Sequence, residues 1–424
     1  MSVKNQEALP EPSRKGFITN YPPFRQWKNT GYKEMSQNSP INIYVHIPFC
    51  LQRCAYCYYK TNELKEKSVY LDRYVDALCQ EIELAVSHFR LAERPVSSIY
   101  FGGGTPTLLK PEQFRKINDF LHRYFNIKEP EFTVEAEPVT LTSKKAELLQ
   151  ELGVNRISLG VQSFSDDILN ICNRLDNEEK VLKAIDLAQG TGAAVNIDLL
   201  SGLAGETLES WQYSVDRALA TGAESITVYK MELYANTEYY RSLRRKEIAL
   251  PDDEQELEFM RYALSRFEQA QYLPWCFFTF TKNGQYKNIY ASSIWAGTDF
   301  YAFGASGFGN VGNQLYQNTN DDKNYMEMLE SGHLPVNRGY SLTPLDDMIR
   351  TVTLGMKLVQ LDLKAFRDKF GFRLETLCTP VLSSLAEEGF ITLSQEAVEL
   401  TSKGILYGDY SGKCIAEYLK NNFC

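Results

Sequence analysis

A regular alternation of short β-rich runs with amphipathic segments begins at Asn42 and stops near Tyr234, and no other feature restricts the fold as strongly. Six strands are predicted, at residues 43–46, 98–101, 132–136, 156–161, 195–200 and 225–231. Helical patterns fill the intervals, at residues 70–89, 111–124, 143–152, 178–189 and 208–221. Strands and helices that alternate in this way are typical of parallel βαβ units, and therefore of an α/β protein. An open parallel sheet and a partial (β/α)6 barrel both accommodate six such units.

The pattern changes after Tyr234. A charged helix is predicted at residues 253–271, and an aromatic, glycine-rich stretch from Trp275 to Tyr316 either packs beneath the barrel or lines a substrate pocket. Three further helices and a small β-ribbon, which together resemble a winged helix, are predicted at residues 346–358, 363–369, 374–388, 390–393 and 397–400. The predicted regions are an N-terminal arm (1–40), a barrel (41–250), an aromatic pocket segment (251–340) and a helical, winged-helix-like C-terminal domain (341–424).

Composition excludes several classes of partner. The formal net charge is −9, and residues 341–424 hold 9 basic and 11 acidic side chains, so neither the chain nor its winged-helix-like region has the basic surface that nucleic acid requires. The sequence contains no apolar run of about 18 residues, and residues 1–30 are polar, so we expect no membrane span and no secretory signal. Nine cysteines without a signal sequence are typical of the reducing cytoplasm. We expect a cytoplasmic, monomeric enzyme.

Three closely spaced cysteines carry the strongest chemical signal. Cys50, Cys54 and Cys57 follow the first predicted strand, at the edge of a parallel sheet where active sites are found. Three thiolates can hold three irons of a [4Fe–4S] cluster and leave the fourth iron open to another ligand. The alternative is a structural zinc site, for which His46 is the local candidate for a fourth ligand. The other six cysteines have no partner spacing and are interpreted as packing or incidental thiols: Cys79, Cys172, Cys276, Cys378, Cys414 and Cys424.

The cysteine triplet, with Tyr56 before its last member, resembles the signature of the radical S-adenosylmethionine (SAM) superfamily. Further motifs resemble one branch of it, the oxygen-independent coproporphyrinogen III oxidases. They are FGGGTPT at 101–107, VEAEP at 134–138, LGVQSF at 159–164, NR at 173–174 and NIDLLSG at 196–202. The resemblance implies a partial (β/α)6 barrel, an open iron that chelates SAM, and reductive cleavage of SAM to a 5′-deoxyadenosyl radical that abstracts hydrogen.

The resemblance also implies roles for individual residues. Cys50, Cys54 and Cys57 would bind the cluster. The positions that contact SAM in the family are occupied here by Tyr44, Tyr56, Gly103, Gly104, Thr105, Glu135, Gln162, Arg174 and Asp198. An electron would come from a flavodoxin- or ferredoxin-type donor. If the resemblance to the oxidases extends to the substrate, a tetrapyrrole propionate would lose carbon dioxide and become a vinyl group.

The match to the oxidases breaks at three places. Tyr59 stands where they carry a further cysteine, residues 278–282 read FTFTK in place of a phenylalanine-alanine-arginine-proline motif, and Glu232 replaces a small residue. Two alternatives therefore stay open. Some members of the branch are methyltransferases or cyclopropanases that bind two SAM molecules and alkylate aromatic natural products, and others are non-catalytic haem chaperones. The arm at residues 16–24 resembles the segment that closes the active site in the oxidases.

Overall fold

The computed structural model describes residues 9–28, 39–64 and 69–423. These residues contain seventeen strands and sixteen α-helices, joined by loops. The strands are β1 Ile41–Ile47, β2 Phe49–Cys50, β3 Asn62–Glu63, β4 Pro95–Gly103, β5 Asn126–Ala136, β6 Arg156–Gln162, β7 Ala194–Ser201, β8 Ser225–Lys230, β9 Tyr272–Cys276, β10 Thr279–Lys282, β11 Phe300–Phe303, β12 Phe308–Val311, β13 Gln314–Asn318, β14 Val336–Ser341, β15 Gln360–Asp362, β16 Ile391–Leu393 and β17 Ala397–Leu400. The helices are α1 Val69–Phe89, α2 Pro111–Tyr124, α3 Ser143–Glu151, α4 Asp166–Ile171, α5 Glu178–Gln189, α6 Leu208–Ala220, α7 Glu238–Arg244, α8 Asp253–Gln269, α9 Ile289–Trp295, α10 Asp322–Glu330, α11 Pro344–Gly355, α12 Leu363–Phe370, α13 Leu374–Leu377, α14 Thr379–Glu387, α15 Ser402–Tyr407 and α16 Tyr410–Phe423.

The six predicted barrel strands are β1 and β4 to β8, and they lie side by side, all parallel, in chain order. Their outward row, which packs against the helices, is apolar and fully buried. It consists of Val45, Phe101, Val134, Ile157 and Val195. The inward row is polar, with Tyr100, Glu135, Ser158 and Asp198. Buried parallel strands are usually apolar on both faces, so a polar inward row indicates that these strands surround a binding cavity.

Residues 272–341 extend this sheet at both edges. Strands β10 and β9 continue antiparallel beyond β8, whereas β11 pairs parallel with β1 and is followed by β12, β13 and β14, which gives twelve strands in one open sheet. Most of the aromatic side chains in this segment pack in the core, including Trp275, Tyr301, Phe303 and Tyr316. The packing interpretation of this segment therefore describes most of its rings, and the sheet is larger than the six strands that periodicity indicates.

Helices α11 to α16 and the three-stranded sheet β15–β17–β16 form the C-terminal region. The helix predicted at 374–388 is divided into α13 and α14. Pro380 explains the break, because it has no N–H to donate to the carbonyl of Thr376. No helix in residues 9–28, 39–64 and 69–423 is both long and apolar enough to cross a membrane.

The N-terminal segment from residue 9 to residue 28 is fastened to the C-terminal region. The backbone N–H of Ile18 donates to Asp409 at 2.8 Å, and the buried Arg350 donates to the carbonyl of Tyr21 at 2.9 Å and to Asn20. Residues 1–8 and 29–38 of the predicted arm lie outside the described residues. The described part of the arm therefore forms part of the folded structure and reaches the open end of the barrel.

Candidate active site

A cavity of about 390 Å³ lies at the carboxyl ends of the barrel strands. The loop after β1 forms one wall, and the ends of β4 to β8 form the floor. The rim is completed by distant parts of the chain: Arg14, Phe17 and Thr19 of the arm, Phe277 and Phe278 between β9 and β10, and Tyr407, Gly408 and Asp409 at the end of α15 and just after it. Its size is within the range of small-molecule sites.

The three predicted cluster ligands lie together on the wall of this cavity. Cys50, Cys54 and Cys57 are half-buried and line it, whereas the other described cysteines are buried elsewhere: Cys79, Cys172, Cys276, Cys378 and Cys414. Cys424 lies outside the described residues. Backbone hydrogen bonds hold the cysteine loop, including Cys57 N–H to the Cys54 carbonyl at 3.1 Å and Ala55 N–H to the Cys172 carbonyl at 2.9 Å. Three accessible thiols on one wall fit the donor set of a [4Fe–4S] cluster.

The zinc alternative is not supported by the position of His46. Its ring lies beneath Gly103, its Nδ1 is 3.3 Å from the Tyr44 hydroxyl, and it is not among the residues that line the cavity. Burial lowers the pKa of His46 to about 4, so the ring is neutral. Among the described residues, no three His, Cys, Asp or Glu side chains are close enough to share a single metal ion.

Glu135 connects the floor of the cavity to the glycine motif. It accepts hydrogen bonds from the Gly103 N–H at 2.9 Å and from the Tyr100 hydroxyl at 2.8 Å. A side chain at Gly103 would place its Cβ 2.5 Å from the His46 ring, and the φ of +112° there also requires glycine. Burial raises the pKa of Glu135 to about 7. Glu135 is thus a carboxylate in a poorly solvated cavity that a cationic ligand would stabilise.

Arg174 joins the cysteine loop to the floor. Its buried guanidinium donates to Asp176 at 2.5 Å and to the Gly160 carbonyl at 2.7 Å, and it lies 3.7 Å from the Cys54 sulfur. The carboxylate of Glu137 is 3.5 Å away. Arg174 therefore places a positive charge beside Cys54, one of the three predicted cluster ligands.

Asp198 lies on the inward face of β7. It accepts from Ser158 at 2.9 Å and from Asn196 at 2.8 Å, and burial raises its pKa to about 6. Its two oriented oxygens, inside β7 and on the cavity face, provide acceptors for hydroxyl groups of a ligand. Gln162, at the end of β6, also lines the cavity and has a left-handed φ of +68°.

The cavity is lined by eleven of the twelve residues predicted for the site: Cys50, Cys54, Tyr56, Cys57, Gly103, Gly104, Thr105, Glu135, Gln162, Arg174 and Asp198. Tyr44 lies one layer below, where its ring stacks on Tyr100 at 5.7 Å and on Tyr290 at 5.9 Å. Tyr44 therefore packs beneath Tyr100, which lines the floor of the cavity.

Several cavity residues were not singled out from the sequence. Glu137 could have been found, because it lies two positions after Glu135 in the same motif. Arg14, Lys230 and Asp409 have no local signal, since long-range packing brings the arm, β8 and the C-terminal region together at the rim.

A parallel partial barrel with three accessible cysteines on one loop, a glycine turn and a buried carboxylate at its open end defines the class of radical SAM proteins. Comparison with known families agrees, because residues 44–218 match the Radical SAM superfamily and residues 342–407 match the HemN C-terminal domain. The chain belongs to the radical SAM superfamily and has a HemN-type C-terminal domain. The predictions of the fold, the [4Fe–4S] cluster and SAM are confirmed at this level.

Relatives with two different names span most of the chain. The heme chaperone HemW of Bacillus subtilis is 32% identical over 372 residues, which cover 87% of this chain and 97% of that protein. The oxygen-independent coproporphyrinogen III oxidase of Salmonella typhimurium is 27% identical over 402 residues, covering 90% and 86%. The structure of coproporphyrinogen III oxidase (HemN) from Escherichia coli aligns with a TM-score of 0.81 and 25% identity, over 95% of this chain and 97% of that one.

Proposed function

We propose that this chain cleaves SAM reductively and abstracts a hydrogen atom from a small-molecule substrate bound in the same cavity. One observation carries the proposal: the three thiols, the glycine turn and the carboxylates of Glu135 and Asp198 all face a single cavity. When bound, the reduced cluster supplies the electron that cleaves SAM into methionine and a 5′-deoxyadenosyl radical.

The residues of the chain have separate tasks in this proposal. Cys50, Cys54 and Cys57 hold the cluster, and Arg174 lies beside the sulfur of Cys54. Glu135 binds the cationic ammonium or sulfonium end of SAM, since its buried carboxylate gains most from a positive partner. Asp198 is suited to accept hydrogen bonds from ribose hydroxyls at the opposite end.

The substrate wall is aromatic. The ring of Tyr58 lies between those of Tyr59 and Tyr234, with ring centroids 4.3 Å and 4.2 Å away. The rings of Phe278 and Tyr229 are 5.4 Å apart. Such flat faces bind planar substrates by stacking. A planar substrate is common to the tetrapyrrole hypothesis and to the alternative of an aromatic natural product.

The charged side chains that line the cavity bear on the choice between these two hypotheses. Four basic and five acidic side chains line the cavity. Lys230 and Arg174 are already ion-paired, at 2.6 Å and 2.5 Å, while Arg14 and Arg53 donate to backbone carbonyls. A tetrapyrrole with four propionates would need four unpaired cations to replace its hydration, whereas among the described cavity residues only Arg14 and Arg53 are without an ion pair. The geometry therefore supports a planar aromatic substrate with few carboxylates, and hence the alkylating alternative, in preference to a polycarboxylate.

Coproporphyrinogen oxidation remains the second candidate. It is supported by the alignment with HemN over 97% of that chain and by the eleven predicted site residues that line the cavity. In that case the hydrogen would be removed from a propionate side chain, and loss of carbon dioxide would leave a vinyl group. The identity to HemW supports the third candidate, haem binding without turnover.

Product analysis of the anaerobically reconstituted protein tests the proposal. With dithionite and SAM we expect 5′-deoxyadenosine from the parent chain and from Cys79→Ala, a matched substitution of a buried cysteine, and none from Cys54→Ala. S-adenosylhomocysteine formed together with 5′-deoxyadenosine on an aromatic substrate would identify alkylation. Carbon dioxide from coproporphyrinogen III would identify decarboxylation. A fully loaded cluster that yields no 5′-deoxyadenosine would overturn the catalytic proposal and leave haem binding.

A further inference from the structure

A second groove, of about 550 Å³, lies on the outer side of the cysteine loop. Arg53 and Cys54 line both this groove and the active-site cavity. The part of the cysteine loop at Arg53 and Cys54 therefore separates the cavity from the groove. One of the predicted cluster ligands therefore lies on the wall of this groove as well as on the wall of the cavity.

The loop is clamped to the two elements that flank the groove. Ala55 donates its N–H to the Cys172 carbonyl after α4 at 2.9 Å, and Tyr239 in α7 donates its N–H to the Ala55 carbonyl at 3.0 Å. The side-chain amide of Asn173 also donates to the Arg53 carbonyl, at 2.9 Å. Helix α7 is thus fixed relative to Cys54, so a partner that contacts α7 is held at a defined distance from the cluster ligand.

The helix beside the groove is basic in a protein whose net charge is −9. Four exposed cations lie within six residues, Arg241 and Arg244 in α7 and Arg245 and Lys246 directly after it. Glu238 pairs with Arg241 and Arg245, and Glu247 also pairs with Arg245 at 2.8 Å, so these two arginines are largely neutralised. Within residues 9–28, 39–64 and 69–423, neither Arg244 nor Lys246 forms an ion pair. We call the four cations the α7 basic patch.

An apolar side chain lies among these polar groups. Ile171 lines the groove with 42% of its surface exposed, and Leu175 nearby in sequence is 38% exposed. A few exposed apolar side chains with a charged rim are typical of protein interfaces, and transient redox complexes lie at the small end of interface sizes. The groove therefore has the composition of a docking surface and the position of an electron entry point.

We propose that the α7 basic patch docks a small acidic one-electron donor protein, carrying a reduced flavin or iron–sulfur centre, over the groove at Cys54. The inference rests on the proposed function, which needs one electron for each SAM cleaved. The donor is oxidised by one electron, and the cluster held by the three cysteines is reduced by one. Positive charge on an otherwise acidic protein orients an acidic donor with its redox centre towards Cys54 and raises the association rate at low salt.

Charge reversal at the patch tests this inference. The variant Arg244→Glu/Lys246→Glu changes two exposed cations that touch neither the cavity nor the cysteine loop. The matched control, Lys364→Glu/Arg367→Glu, makes the same change on the exposed face of α12. Each protein is reconstituted, and reduction of the cluster is followed by loss of its visible absorbance. The reductant is either dithionite or a bacterial flavodoxin kept reduced by NADPH and its reductase.

We expect the patch variant to be reduced by flavodoxin about tenfold more slowly than the parent at low ionic strength. The difference should shrink at high salt, where charges are screened, while dithionite reduces both proteins equally. The control should behave as the parent does. Unchanged reduction by flavodoxin would overturn the inference, and so would an equal loss with both reductants, which would assign the patch to support of the loop. Cluster reduction is read without SAM, so failure of SAM cleavage in the parent would refute the proposed function alone.

Discussion

Replacing Glu135 with glutamine is the most direct test of how the cavity holds SAM. The substitution keeps the size of the side chain and an oxygen that can accept from Gly103 N–H or from the Tyr100 hydroxyl, now 2.9 Å and 2.8 Å from the carboxylate. It removes the negative charge. The fold should therefore survive, while any interaction of this carboxylate with a cationic ligand is lost.

The expected effect follows from the surroundings of Glu135. A hydrogen bond to a charged group contributes roughly 1.5–3 kcal/mol, so the dissociation constant for SAM should rise about 10- to 150-fold by the conversion of about 1.4 kcal/mol per decade. Calorimetric titration of the reconstituted, oxidised protein measures this without turnover. Glu131→Gln is a matched control on the same strand, because that carboxylate accepts from Ile289 and Tyr290 outside the cavity.

The pH dependence gives a second reading. Burial raises the pKa of Glu135 to about 7 in the free protein, and a cationic ligand stabilises the ionised form. Affinity for SAM should therefore rise with pH up to about 7 and then level off, because SAM binding releases a proton only at lower pH. Glu135→Gln should be much less dependent on pH over this range. Equal affinities for the parent and the variant at pH 8 would refute the assignment of Glu135 to SAM.

Two further predictions concern geometry and burial. Gly103→Ala should abolish or strongly weaken SAM binding, because its Cβ would lie 2.5 Å from the ring of His46. The control Gly153→Ala also has a positive φ, but its Cβ would meet open space, so this variant should bind SAM normally. Calorimetric titration with SAM distinguishes the two variants. Lys357→Met should lower the free energy of unfolding by about 3–5 kcal/mol, because it leaves the buried Asp409 carboxylate, now 2.7 Å from the ammonium, without its cation. Adding Asp409→Asn should restore part of this loss in urea denaturation, and a purely additive double variant would contradict the pairing.

The barrel could be predicted from the sequence because its elements are local. The helices predicted at 111–124 and 178–189 have the same bounds in the structure, and all six parallel strands form where the β-rich runs lie. The period of apolar residues within one segment is sufficient for such elements. Strands β9 to β14 were not predicted because they are short, and because β10 and β11 join the sheet by pairing with the distant strands β8 and β1.

The same distinction applies to the cavity. Its cofactor-facing residues follow the ends of successive parallel strands, and those ends meet at one edge, so motifs such as that containing Glu135 were found from sequence order. Phe17 and Asp409 lie 392 positions apart and reach the rim only because the arm packs on the C-terminal region, where Asp409 accepts from the backbone of Ile18. No local pattern distinguishes such residues from ordinary packing residues.

The departures from the oxidase pattern are also brought together by the fold. Tyr59, Glu232 and Phe278 are separated in sequence, and all three line the same cavity. Tyr59, Glu232 and Phe278 lie beside the stacked tyrosines and at the rim of the cavity. Glu135 lies on its floor, and the three cysteines lie on the wall formed by the loop after β1. A change of substrate requires changes only where the substrate is bound, because radical generation needs the same cluster and SAM contacts for each substrate. Restoring cysteine at Tyr59 should therefore alter substrate preference without restoring or abolishing SAM cleavage, and loss of 5′-deoxyadenosine in Tyr59→Cys would contradict this division of the cavity.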